Sequence, residues 1–70
     1  MPKKVVAMWQ SNSKVEFLTV YREGDRYYYE TMKGTKYLGE LDQDQIAIDY
    51  VQDNLIKDGS FEGSFLKRLI

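Results

Sequence analysis

The sequence predicts an α+β domain: a four-stranded antiparallel β-meander, one α-helix packed on one face, and a short C-terminal helical segment. Three observations lead there. From Val15 to Leu41 the side chains sort by parity, with Val15, Phe17, Thr19, Tyr21, Tyr27, Tyr29, Thr31, Tyr37, Gly39 and Leu41 on odd positions. Glu16, Arg22, Arg26, Glu30, Lys36 and Glu40 fall on even ones. Period two is the mark of strands with one buried and one wetted face, so the odd positions are read as the core. Beyond Leu41 the apolar spacing turns helical, and the last ten residues then hold five large apolar side chains.

The first strand is Lys3 to Trp9, with Pro2 where a strand can begin and Val5, Ala7 and Trp9 extending the odd face. Three connections follow that read as three-residue hairpin loops: Gln10-Ser11-Asn12, Arg22-Glu23-Gly24 and Met32-Lys33-Gly34. In each the last residue must reach positive φ, which Asn and Gly tolerate. Loops of this length keep odd opposite odd, giving core rows Val5–Phe17–Tyr29–Tyr37 and Thr19–Tyr27–Gly39. Gly39 would then leave room for the Tyr27 ring. On the even face the same register sets Glu30 beside Lys36 and Arg26 beside Glu40, each pair worth up to about 1 kcal/mol. Glu16 opposite Glu30 counts against it, and a two-residue turn in any hairpin would exchange the faces of a strand.

Asp42 with Gln45 three positions on resembles a capping box, and a helix is expected from about Gln43 to Lys57, with Gly59 just past its end. Lys57 suits the negative end of the helix dipole. Its apolar residues Ile46, Ala47, Ile48, Tyr50, Val51 and Leu55 spread over an arc of roughly 200°, wider than one sheet needs. A second element should pack beside it. Ser60 to Ile70 is the candidate, since Phe61, Phe65 and Leu69 recur every four residues as in a helix, although Gly63 weakens it.

Seventy residues make one domain, small enough that its ten aromatic side chains must supply much of the core. There is no Cys and no His, which removes disulfides, thiolate chemistry, imidazole bases and the usual transition-metal ligands. The chain is read as non-catalytic, without metal or cofactor. Asp42 and Asp44 are better placed to start a helix than to hold a cation, because an EF-hand needs Gly at loop position 6 and Glu at 12, and Ile48 sits near the first and Asp53 near the second. Glu16 and Glu30 are the only carboxylates the register brings together, on a flat sheet without a cleft. Asp49 and Asp53, one turn apart, make a solvated stripe or an anionic one for a basic partner. The net charge is −1, from +2 over residues 1–41 and −3 over residues 42–70, without the positive field of a duplex-binding domain. The absence of any 18-residue apolar run, and an N-terminus with too short an apolar stretch for a secretion signal, point to a cytoplasmic protein without a membrane span.

On this register an apolar even-face band, Leu18–Tyr28–Leu38 flanked by Val6, Met8 and Val20, stands among the charges of Arg26 and Lys36. An apolar centre with an aromatic anchor and a charged rim is the make-up of a protein-binding patch. Met8, Leu18, Val20, Tyr28, Leu38, Arg26 and Lys36 are therefore the expected partner-binding residues. The expected function is that of a small non-catalytic adaptor or inhibitor acting on a larger macromolecule, of the kind phages and mobile elements encode as accessory proteins. A homodimer seam is the nearest variant of that reading. Two alternatives stand beside it. Tyr28 with Trp9 or Tyr37 could stack the bases of single-stranded nucleic acid while Lys14, Arg22, Arg26 and Lys36 hold its backbone. Tyr21, Tyr27, Tyr29 and Tyr37 could line a pocket for a small polar ligand. The bland counterpart is that tyrosines at strand spacing fill a core, and that the band is ordinary surface or is covered by the C-terminus.

Overall fold

A computed structural model of the chain describes residues 2–11, 16–56 and 66–70. Five strands form one antiparallel sheet: β1 Lys4–Ser11, β2 Phe17–Glu23, β3 Arg26–Thr31, β4 Gly34–Glu40 and β5 Leu66–Arg68, in the order β4-β3-β2-β1-β5. The meander of the first four is as expected. The fifth strand is a correction. Helix α1, Asp44–Val51, continues into one π-helical turn, Gln52–Ile56. No helix among the described residues is long and apolar enough to cross a membrane.

The hairpins close differently from the expected three-residue loops. β2 and β3 meet at Glu23↔Arg26, leaving Gly24-Asp25 as a two-residue turn, and β3 and β4 meet at Thr31↔Gly34 around Met32-Lys33. Gly24 has φ 65° and Gly34 φ 125°, so both glycines do reach positive φ, but the count of turn residues is two. A turn with positive φ at its first position matches the twist of the flanking strands, and Gly-Asp is one of its signatures. At the β3–β4 turn the Thr31 hydroxyl accepts the Lys33 N–H at 3.1 Å. β1 and β2 close at Ser11 and Glu16, where the Ser11 N–H reaches the Glu16 carbonyl at 2.9 Å and the Glu16 N–H reaches the Ser11 hydroxyl at 3.1 Å. Gln10 and Ser11, expected in the connection, therefore belong to β1, and Asn12 lies outside the described residues.

A two-residue turn pairs odd with even, and the core changes accordingly. The buried face holds Ala7 and Trp9 from β1, Leu18 and Val20 from β2, and Tyr27 from β3, packed with Ala47, Ile48 and Val51 of α1. Of the odd-face residues expected inside, Val5, Phe17 and Tyr37 are exposed, at 46%, 36% and 55%. Leu18 and Val20, expected outside, are fully buried. The physical cause is visible in β2 itself: Phe17-Leu18-Thr19-Val20-Tyr21 is apolar on both faces, so its composition does not say which face is the core.

Two one-residue bulges adjust the register. Val5↔Tyr21 is followed by Ala7↔Val20, which makes Val6 the extra residue of β1, and Tyr28↔Tyr37 and Tyr27↔Gly39 flank Leu38 in β4. A bulge lets one strand spend two residues against one and bends it there. In both cases the extra residue is apolar and packs against the core. At β4 the two-residue turn plus the bulge restore the offset that a three-residue loop would have given. Tyr27 and Gly39, and Arg26 and Glu40, are therefore cross-strand neighbours as expected, although Arg26 and Glu40 form no ion pair, whereas Lys36 faces Tyr29 and not Glu30.

Helix α1 starts at Asp44 with Gln43 as its N-cap residue and without a side-chain cap, so Asp42 does not cap it. The first turn is closed by the Ile46 N–H to the Gln43 carbonyl at 3.2 Å. Ala47, Ile48 and Val51 face the sheet; Ile46 and Tyr50, one turn apart, are about half exposed. Leu55 and Ile56 of the π-helical turn pack at the core margin. The C-terminal helix is not what residues 66–70 form. Leu66–Arg68 pairs with β1 through Trp9↔Arg68, Gln10↔Lys67 and Ser11↔Leu66, and the Leu69 N–H adds a bond to the Met8 carbonyl at 2.8 Å. The Arg68 guanidinium lies 5.8 Å from the Trp9 ring centre. A spacing of four is also twice two, so Phe61, Phe65 and Leu69 never separated helix from strand. Phe61, Phe65, Lys57 and Gly59 lie outside the described residues.

Candidate functional site

The face of the sheet opposite α1 is assembled by register. Val5, Tyr21, Tyr28 and Tyr37 fall in one row across four strands. Their rings form a ladder: Tyr21 and Tyr28 stack with centres 5.5 Å apart at 19°, and Tyr28 meets Tyr37 at 5.2 Å, tilted by 51°. Offset and tilted contacts at these distances suit the ring quadrupole. The Lys3 ammonium lies 4.6 Å from the centre of the Tyr21 ring, closing the ladder at the β1 end with a cation–π contact. Tyr21 is thus buried from both sides, Tyr28 is half-buried, and Tyr37 at the edge strand is open.

Charged residues lie on both sides of the ladder. One neighbouring row is Glu23–Arg26–Glu40, and the other is Met8–Thr19–Glu30–Thr35. Arg26, Tyr28, Tyr37 and Glu40 border an open depression of about 260 Å³. Among the described residues no helix lies over this face; the core that α1 completes is on the other side.

The expected patch is only partly here. Met8, Tyr28 and Arg26 stand on this face, but Leu18 and Val20 are core, and Leu38 packs against the core from its bulge. Lys36 lies across from Tyr29 on the helix side. Tyr21 and Tyr37, expected in the core, join the ladder instead: the two-residue turn at Gly24-Asp25 sets Tyr21 against Tyr28, and the one at Met32-Lys33 sets Tyr37 against Tyr28. The nucleic-acid alternative loses Trp9, which is buried on the helix side, and Arg22, which is engaged elsewhere; Lys14 lies outside the described residues. The four tyrosines expected around one pocket divide between faces, Tyr21 and Tyr37 with the ladder and Tyr27 and Tyr29 with the core.

Two other features are polar or hollow. At the start of α1 the Tyr27 hydroxyl donates to Asp44 Oδ1 at 2.5 Å, and Arg22 Nη1 lies 3.3 Å from the same oxygen. Burial raises the Tyr27 pKa above the ordinary phenol value of 10.0; the Asp44 carboxylate adds to the rise and Arg22 opposes it. Asp44 also complements the positive end of the helix dipole. Asp44 is thus engaged by both Tyr27 and Arg22, and no three acidic side chains converge among the described residues. Below the helix end, Phe17, Tyr29, Met32 and Leu55 wall a hollow of about 190 Å³ with Lys33 and Lys36 beside it.

Compared with protein-family models, with curated proteins and with solved structures, the chain matches none.

Proposed function

We propose that the chain is a non-catalytic binding protein that acts through the open sheet face on a larger macromolecule, as an adaptor or an inhibitor. The observation that carries this reading is the Tyr21–Tyr28–Tyr37 ladder on the face away from the helix, ending in an exposed ring. Tyrosines present a large rigid surface with a polar tip and lose little rotamer freedom on docking, which is why they are frequent at binding surfaces. Met8 and Arg26 stay in the proposed footprint; Tyr21 and Tyr37 join it, and the core residues leave it.

The same ladder supports a second reading, stacking of single-stranded nucleic-acid bases. Charge argues against it: Glu23, Glu30 and Glu40 beside the rings outnumber Arg26 and Lys3, so a phosphate backbone would find no basic groove of the kind such proteins use. A protein partner is the better match.

The test is capture of the partner from the native host with the tagged chain, comparing wild type with Tyr28→Ala/Tyr37→Ala. Capture should be lost while the circular dichroism spectrum and the buried-Trp9 emission stay native. Undiminished capture by the folded double variant would move the function off this face.

A further inference from the structure

We propose that the group this face recognises is a cation on a protein segment, an arginine side chain docking on Tyr28 and Tyr37 beside the Glu40 carboxylate. The inference deepens the binding-face reading and rests on it. Its first support is the ladder's own end. Lys3 already places an ammonium 4.6 Å from the centre of the Tyr21 ring, so one terminus of the ladder holds a cation within the chain itself. The opposite terminus, Tyr37, has no such partner among the described residues and is 55% exposed.

The second support is charge. Glu23, Glu30 and Glu40 lie in the rows bordering the rings, with Arg26 between Glu23 and Glu40. None of the three glutamates forms an ion pair with a described residue, and with both Arg26 and Lys3 counted the face still carries three carboxylates to two cations. A guanidinium suits such a place better than an ammonium: it is planar, stacks on an aromatic face and still offers N–H donors at its edge to a carboxylate. The depression bordered by Arg26, Tyr28, Tyr37 and Glu40, about 260 Å³, is large enough to take that planar head. Arg26 would turn toward Glu23, its other cross-strand neighbour.

The probe is a capped arginine nonapeptide, titrated into the isotope-labelled full chain, with a capped neutral nonapeptide and a deoxythymidine decamer in parallel. The expected result is movement of the Tyr28 and Tyr37 ring resonances by the arginine peptide alone, with affinity falling as salt is added. Tyr37→Ala should weaken binding about two- to fivefold, and Tyr37→Phe, which keeps the ring, should not. Glu40→Gln should weaken it as well. Ring resonances that stay still, or that move equally with the neutral peptide or more with the decamer, would overturn the proposal. So would shifts confined to the acidic helix around Asp42, Asp49 and Asp53. If the rings stay still while Tyr28→Ala/Tyr37→Ala abolishes capture of the host partner, the cationic chemistry fails and the binding face stands. If capture also persists, both fail.

Discussion

One hydroxyl ties the helix start to the sheet. Tyr27 is 1% exposed, its ring lies in the core, and its hydroxyl reaches Asp44 in the first turn of α1 while Arg22 approaches the same oxygen. A phenol donating to a carboxylate contributes more than a neutral pair, but Asp44 is partly solvated, so the lower part of the range applies. Tyr27→Phe keeps the ring and should cost about 1–2 kcal/mol in a urea melt at neutral pH. The pH dependence has a definite sign. The folded-state pKa is raised, so the folded protein holds this proton more tightly than the unfolded chain, and stability falls as pH rises above the ordinary value of 10.0. Below that value the contribution is fully present. Melts at pH ~8 and ~11 should therefore show a larger loss for the parent than for Tyr27→Phe. An equal loss in both would remove Tyr27 from the alkaline transition.

Among elements, the turns and bulges decide which residues meet. Gly24 at φ 65° closes β2 on β3, and an L-residue there pays for the left-handed conformation, so Gly24→Ala should lose about 1–2 kcal/mol. Gly39 separates strain from packing. Its φ is 127°, yet a Cβ built there meets nothing within 4 Å. Gly39→Ala should lose about 1–3 kcal/mol by backbone strain alone, and a chemically synthesised chain with D-alanine at this position should recover most of it. If both enantiomers destabilise equally, the cost is steric and the strain account is wrong. These same elements mark what the sequence made legible. Strand existence, the meander order, the helix and the positive-φ glycines at 24 and 34 were readable from period and residue type. Face assignment was not, because β2 is apolar on both sides and Gly24 fits equally the end of a three-residue loop over Arg22-Glu23-Gly24 and the start of a two-residue turn over Gly24-Asp25. Nor were the bulges at Val6 and Leu38: each sets an extra apolar residue against the core, a tertiary contact that no local pattern records. Both fall on strands at or near a sheet edge, where a bend discourages pairing with another chain. The C-terminal strand was hidden by a spacing of four that serves either structure, and by the unpaired edge of β1, which exists only after folding.

For the molecule as a whole, size makes the two faces separable by experiment. A domain of 70 residues at about 0.05–0.15 kcal/mol per residue has roughly 4–10 kcal/mol of total stability. Its inner layer is small, and Leu18 and Val20 at 0% exposure are among its largest wholly enclosed side chains. Truncating Leu18 to Ala removes buried methylene groups and leaves a void, at a cost of about 2–5 kcal/mol, a large share of the whole. On the other face, Tyr37→Ala loses only an exposed ring and its contact with Tyr28, about 1 kcal/mol or less. Trp9 is the natural reporter, being the sole tryptophan and 2% exposed, so its emission should be blue-shifted in the native state and move red on unfolding. Urea titrations followed at Trp9 should show the Leu18→Ala midpoint shifted several times further than that of Tyr37→Ala. The opposite order would place Leu18 on the surface, return the odd residues to the core, and dissolve the tyrosine ladder on which the binding face depends.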